Sequence, residues 1–198
     1  MTPDSTHSPD PQTEDSPLDH ADAQGRVAAQ DLPAPYSGPA PRDALAELFI
    51  QDGYSNDDPR LWVPLAPGRW SRPLCLNVSN GYWVHLTKVV GGGMLSRHRH
   101  PAPVHGFVIK GKWRYLERDW IAEAGSYLYE PPGDIHTLVV EPDCEEMITL
   151  FHNSGALIYC DEDGNTTGTT DVFDRVDACR KHFIEVGLGE DFVKQFIR

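Results

Sequence analysis

The chain has no surplus of basic residues. Its 17 Lys and Arg side chains are set against 30 Asp and Glu, a formal net charge of −13 over 198 residues. Sequence-independent binding to nucleic acid rests on many Lys/Arg–phosphate contacts, and adhesion to anionic membrane needs a basic face. Neither partner is expected. Long apolar runs are missing too: no segment approaches the roughly 18 consecutive apolar residues of a membrane span. The opening stretch MTPDSTHSPDPQTEDSP lacks both a basic and an apolar region, so no secretory signal is expected and a cytoplasmic location is. Cysteine is sparse. Cys75, Cys144, Cys160 and Cys179 form no C-x-x-C pair, which argues against a zinc knuckle, a thioredoxin-type site or a disulfide framework and reads as reduced thiols.

The acidity is uneven. Residues 1–41 hold seven acids and one base (Arg26), leaving −7 for the remainder, and they also hold eight of the 17 prolines. Such a segment buries too little apolar surface to offset its ordering entropy, so residues 1–41 are expected to be a disordered tail. Leu32–Pro41 could lie as an extended arm. Residues 42–198 are expected to form one domain. A short helix is predicted at Asp43–Ile50, opened by Pro41 and carrying a Leu45, Leu48, Phe49 stripe. Short β-branched and aromatic segments follow: Leu61–Val63, Leu74–Val78, Tyr82–Val90, Val104–Lys110, Lys112–Glu117, Ser126–Tyr129, Thr137–Val140, Met147–Phe151 and Ala156–Cys160. Gly, Pro, Asn and Asp punctuate them. The expectation is an all-β jelly-roll barrel over about residues 60–161, with C-terminal helices over about 171–197. Val172, Val176, Cys179 and Phe183 keep the helical period there, and Gly187 or Gly189 ends it.

Of the nine histidines, His98 and His100 flank Arg99. Residues i and i+2 of an extended strand share a face, so both imidazoles project the same way, an arrangement a divalent metal can use. His136 follows a Pro131-Pro-Gly133 turn at a strand start. His7 and His20 fall in the tail, and His85, His152 and His182 belong to no motif and read as structural.

The joined pattern is Gly92-x5-His98-x-His100-x4-His105-x5-Gly111, then Gly125-x5-Pro131-x-Gly133-x2-His136. It resembles the two-part signature of the cupin superfamily, whose fold is a small jelly-roll barrel. The resemblance implies a metal inside the barrel held by His98, His100 and His136. Two positions depart from the signature. His105 stands where a glutamate is usual, and Val140 where an asparagine often is. The site is thus expected to lack a carboxylate ligand, with His105 as a fourth ligand, as a hydrogen bonder to the site, or as a packed core histidine. Glu130 could orient a ligand imidazole or a water, or be a surface charge at a strand end. Trp83, Trp113, Tyr115, Trp120, Tyr127 and Tyr129 read mostly as core, though an aromatic-lined cavity would suit an aryl substrate.

Over about residues 43–198 the chain also looks like the 2,4′-dihydroxyacetophenone dioxygenase family. The resemblance runs through Arg72–Val84, Leu95–Pro101, Val104–Gly111, Tyr115–Trp120, Gly125–Val139, Ala156–Gly164 and Glu185–Glu190. It implies a non-haem iron(II) enzyme with three histidine ligands that cleaves the bond between a ketone carbon and its hydroxymethyl neighbour. One O2 is consumed, and 4-hydroxybenzoate and formate are formed. The implied partners are a small aromatic hydroxyketone and O2, with His105 or Glu130 as the proton acceptor; a homo-oligomer is the default by analogy. A related dioxygenase acting on a β-diketone or another aryl ketone, and a non-catalytic zinc-binding cupin sensor, are the alternatives.

Overall fold

In the computed structural model, residues 32–198 are described. The chain divides into two units, Met1–Ala44 and Leu45–Arg198. The expected disorder of the acidic tail therefore lies largely outside the described residues. Residues 32–44 hold no helix or strand; a turn at Arg42-Asp43 places Asp43 at φ 62° and lets the Ala44 N–H donate to the Pro41 carbonyl.

The helix predicted at Asp43–Ile50 is absent: residues 44–50 are irregular. Leu45 (69% exposed) and Phe49 (79%) find no surface to cover, and eight residues cannot hold a helix on propensity alone. The chain is instead tied down just beyond. The buried Arg72 guanidinium donates to the carbonyls of Asp52 (3.0 Å) and Asn56 (3.2 Å). A 3-10 turn at Pro59–Leu61, capped by Asp58, then leads into the sheets where a strand was expected to start.

Thirteen strands follow: β1 Val63–Ala66, β2 Arg69–Asn77, β3 Tyr82–Val90, β4 Gly93–Met94, β5 His98–Arg99, β6 Val104–Lys110, β7 Lys112–Tyr115, β8 Ala122–Glu123, β9 Tyr127–Glu130, β10 Leu138–Val140, β11 Glu146–Ser154, β12 Leu157–Cys160 and β13 Thr166–Thr170. All named pairings are antiparallel. A six-stranded sheet runs β1-β2-β3-β11-β6-β9, a four-stranded one β4-β10-β7-β8 and a three-stranded one β13-β12-β5. This is the predicted jelly-roll architecture. The polar strand β13 (Thr-Thr-Gly-Thr-Thr) was not anticipated, because it carries no apolar alternation.

Two apolar clusters hold the barrel. Val89, Val104, Val108, Trp113, Leu138, Val140 and Met147 fill its interior. Leu76 and Trp83 meet the one α-helix among the described residues, α1 (Val172–Glu185), through Val172, Val176, Cys179 and Phe183. Asp171 caps α1 in a reciprocal box with Asp174. A 3-10 segment, Glu190–Phe196, adds Val193 and Phe196 to the same cluster. Among the described residues no helix is long and apolar enough to cross a membrane.

Gly111, in the β6–β7 turn, sits at φ 74°, where a Cβ would collide with the Glu146 carbonyl oxygen and lie 2.9 Å from Cys144 Sγ. Gly111→Ala is expected to cost more than about 1 kcal/mol of folding free energy, read as a lower urea midpoint at unchanged slope.

Candidate metal centre

His98, His100 and His136 converge because the backbone pairs them. His98 and His136 form an isolated antiparallel bridge, each N–H donating to the other's carbonyl at 3.0 and 2.9 Å. The Gly133 N–H donates to the His100 carbonyl, which draws the Pro131–Gly133 turn onto the same strand. All three imidazoles are buried, and each offers a ligand nitrogen within 4.8 Å of the others.

The tautomer of His98 follows from its partner. His98 Nδ1 lies 2.6 Å from the Ser96 carbonyl oxygen, which can only accept, so Nδ1 carries the proton and Nε2 is left as a lone pair. That lone pair lies 3.3 Å from His136 Nε2. Glu130 is buried beside them. Its Oε1 accepts the Tyr115 O–H at 2.5 Å, and its Oε2 lies 3.2 Å from His100 Nε2 and 3.4 Å from His136 Nε2. Oε2 has no hydrogen-bonding partner among the described residues. The free His98 Nε2 lone pair, two further imidazole nitrogens and the Glu130 carboxylate oxygen converge in an apolar interior, an arrangement that is costly unless a cation joins them. The donor set therefore fits a divalent metal.

The surroundings hold the site rigid. The Tyr115 ring stacks on His136 with centroids 4.2 Å apart. Glu117 accepts from both the N–H and the hydroxyl of Thr137, and Arg118 pairs with Asp134. The loop carrying His136 is thus pinned from the Tyr115–Arg118 side.

Burial, and next the neighbouring His136, pull the His98 imidazole down to about 4; burial also lowers His136. Burial pushes the Glu130 carboxyl up, but contact with His100, His136 and Tyr115 outweighs it and leaves the carboxyl below its usual range. His98 in the folded chain therefore takes a proton later than in the unfolded chain as pH falls. In the metal-free protein its contribution is complete above about pH 6.5 and is lost on acidification toward pH 4, a loss of up to about 3 kcal/mol. Thermal melts of metal-free protein are expected to stay flat from pH 7 to 8 and to fall steeply between pH 6.5 and 4.

Residues 51–158 match the family model described as a ChrR cupin-like domain. The chain belongs to this cupin family. No curated protein matches it. The fold is similar to that of an RmlC-like cupin protein from Ralstonia eutropha JMP134, with a TM-score of 0.60 and 28% identity over 64% of this chain and 83% of that one. A second protein from that organism, of unknown function with a cupin-like fold, gives a TM-score of 0.58 and 30% identity over 61% of this chain and 75% of its own. An acetylacetone dioxygenase from Acinetobacter johnsonii gives 0.60 at 19% identity, over 72% and 97%.

Two expectations for this cupin site need correction. The cluster does not include His105. On β6, Val104, Gly106 and Val108 face inward, so His105 points to the outer face, where its Nδ1 meets the Tyr127 hydroxyl at 2.9 Å and its ring lies over His152. The strand's own alternation carried that signal. Nor is the site without a carboxylate: Glu130, opposite Val104 across the β6–β9 pair, faces inward at 4% exposure and is no surface charge.

The cavity beside the imidazoles is lined by Leu65, Leu95, Tyr115, Leu138 and Phe151. The other expected aromatics do not line it: Trp83 and Trp113 are core, and Trp120, Tyr127 and Tyr129 are exposed. Four polar residues outside the sequence motifs do reach it: His85, Thr87, Asn153 and Arg175. His85 Nδ1 lies 2.7 Å from Ser71 Oγ, and Asn153 Nδ2 donates to His85 Nε2 at 3.0 Å.

Proposed function

We propose that this cupin is a mononuclear iron(II) dioxygenase. Its reaction would cleave the bond between the ketone carbon and the hydroxymethyl carbon of an aryl α-hydroxyketone such as 2,4′-dihydroxyacetophenone, with O2, to give 4-hydroxybenzoate and formate. The observation that carries the reading is the convergence of three imidazole nitrogens and one free carboxylate oxygen at the inner end of an apolar cavity. His98, His100 and His136 would hold the ion. When bound, iron(II) would supply Lewis acidity toward two substrate oxygens and a redox-active centre through which the substrate's electrons reach O2.

Glu130 is the proton acceptor in this reading. Tyr115 fixes its Oε1, so Oε2 takes the proton lost from the hydroxymethyl carbon as the ketone enolises. His105, the other candidate, points away from the cavity. The leucine and phenylalanine walls keep water from competing for the reacting atoms. The space next to the imidazoles is small, about 60 Å³, and opens into a mouth of about 380 Å³. In this reading the hydroxyketone head takes the first and the ring the second. The four cysteines are free thiols, in keeping with the cytoplasmic setting proposed here.

The test is anaerobic reconstitution with iron(II), followed by oxygen-electrode assay on 2,4′-dihydroxyacetophenone and on acetylacetone. Uptake with the first supports the reading. Uptake with the second alone moves the substrate to a β-diketone, a class supported by fold likeness to the acetylacetone dioxygenase. No uptake with either, at confirmed iron occupancy, removes the reading. The orphaned Glu130 Oε2 also favours a second one: as a fourth ligand it would close a tetrahedral three-histidine, one-carboxylate zinc site with no open position. Zinc retained at one equivalent, with no oxygen uptake, would select that.

A further inference from the structure

Leu65, Leu95, His98, Leu157 and Arg175 border both the inner space and the outer mouth. Arg175 is the unusual member. It comes from α1, on the stripe that otherwise buries Val172, Val176 and Cys179 against the barrel. Its Nε is buried and makes no hydrogen bond, and among the described residues no carboxylate lies within ion-pair distance of it. The nearby acid, Asp174, is already engaged with the Asp171 N–H in the helix cap. The guanidinium carbon lies 5.7 Å from the centroid of the Trp83 ring. On the facing wall His85 is held neutral by burial, with the positive charge of Arg175 adding to the effect.

The outer mouth holds a second arginine of the same kind. Arg69, at the start of β2, also has a buried Nε without a partner and makes no ion pair among the described residues. Gly93 leaves room for it: a Cβ there would lie 3.0 Å from Arg69 Nη2. In a chain with 30 acidic side chains, two arginines line one opening whose lining holds no carboxylate, which leaves it locally positive. An unpaired guanidinium at low dielectric is stabilised by an incoming anion, and its planar fork suits a carboxylate or other acidic oxygen.

We infer that Arg175, assisted by Arg69, recognises an anionic oxygen substituent of the substrate, a carboxylate or phenolate, at the end of the molecule remote from the atoms that meet the imidazoles. This rests on the proposed reading of the cavity as a substrate site. It adds the polarity of binding: reacting head inward among His98, His100 and His136, acidic end outward at the mouth. In this role Arg175 is a specificity-determining residue and not a participant in bond cleavage.

Binding is measured by calorimetry on the full chain, with and without metal. The probes are benzoate, 4-nitrophenolate at pH 8.5 and the neutral benzamide and nitrobenzene. At least one anion is expected to bind about tenfold or more tighter than its neutral counterpart, the worth of one charge-assisted hydrogen bond, with affinity falling as salt rises. Benzoate alone showing the preference assigns a carboxylate; nitrophenolate alone assigns a phenolate. Arg175→Gln is expected to erase the preference, and Arg69→Gln to reduce it. Equal binding of anions and neutrals to the unaltered protein overturns the inference whether or not the variants fold. So does a preference that survives Arg175→Gln, since the guanidinium would then only pack on Trp83. Because these readouts need no turnover, oxygen uptake without anion preference leaves the dioxygenase reading standing, and anion preference without uptake does the reverse.

Discussion

His136→Ala is expected to abolish metal retention. The ring contributes one of three convergent nitrogens, stacks on Tyr115 and has its Nε2 within 3.4 Å of Glu130 Oε2. Removing it leaves two imidazoles and a void where a buried ligand stood. Purified protein is expected to fall from about one equivalent of metal to a background level, with apparent affinity weakened by more than about 100-fold, since losing a ligand exceeds the 10–100-fold cost typical of losing a group that only orients one. The backbone pairing of residues 98 and 136 does not need the imidazole, so the β-rich circular dichroism should persist. His105→Ala is the control: its ring lies on the outer face, and metal content should not change. Metal analysis of the two variants checks both statements. Iron retained at wild-type occupancy by the His136 variant would remove the site assignment.

The second large effect is expected at Glu130. Glu130→Gln keeps the shape and the Tyr115 contact but removes a base, so metal should be retained while kcat falls by about 10² to 10⁴-fold, the range typical of general-base removal. Tyr115→Phe separates base from positioning. It frees Glu130 Oε1, removes one of the contacts that hold the carboxyl low, and should shift the acid limb of the rate profile upward with a smaller loss of kcat. If Glu130→Gln instead strips the metal, the carboxylate is a ligand and the zinc-type closed site gains weight.

The three histidines were legible in the sequence through strand parity, a turn signal and the resemblance to the two-part cupin signature, while the pairing of residues 98 and 136 that brings them together was not. Strand parity puts His98 and His100 on one face, and a Pro-Gly turn delivers His136. Glu130 was half legible, since its distance from His136 along the chain was visible but its inward face depended on the β6–β9 register. His105 was misplaced by following a motif position instead of the Val104, Gly106, Val108 alternation beside it. Arg175 left a weaker trace. It lies three residues after Val172, on the buried stripe of α1, but only the packing of that helix over the barrel mouth brings it within reach of a site about 40 residues or more away in sequence. The predicted helix at Asp43–Ile50 failed for the complementary reason, a helical stripe with no surface to receive it.

The most direct test of the central claim is turnover of 2,4′-dihydroxyacetophenone under ¹⁸O₂ by the iron-loaded full chain, with mass analysis of both products. The account predicts one labelled oxygen in 4-hydroxybenzoate and one in formate. Products formed with label in neither, or no products at confirmed iron occupancy, would contradict it.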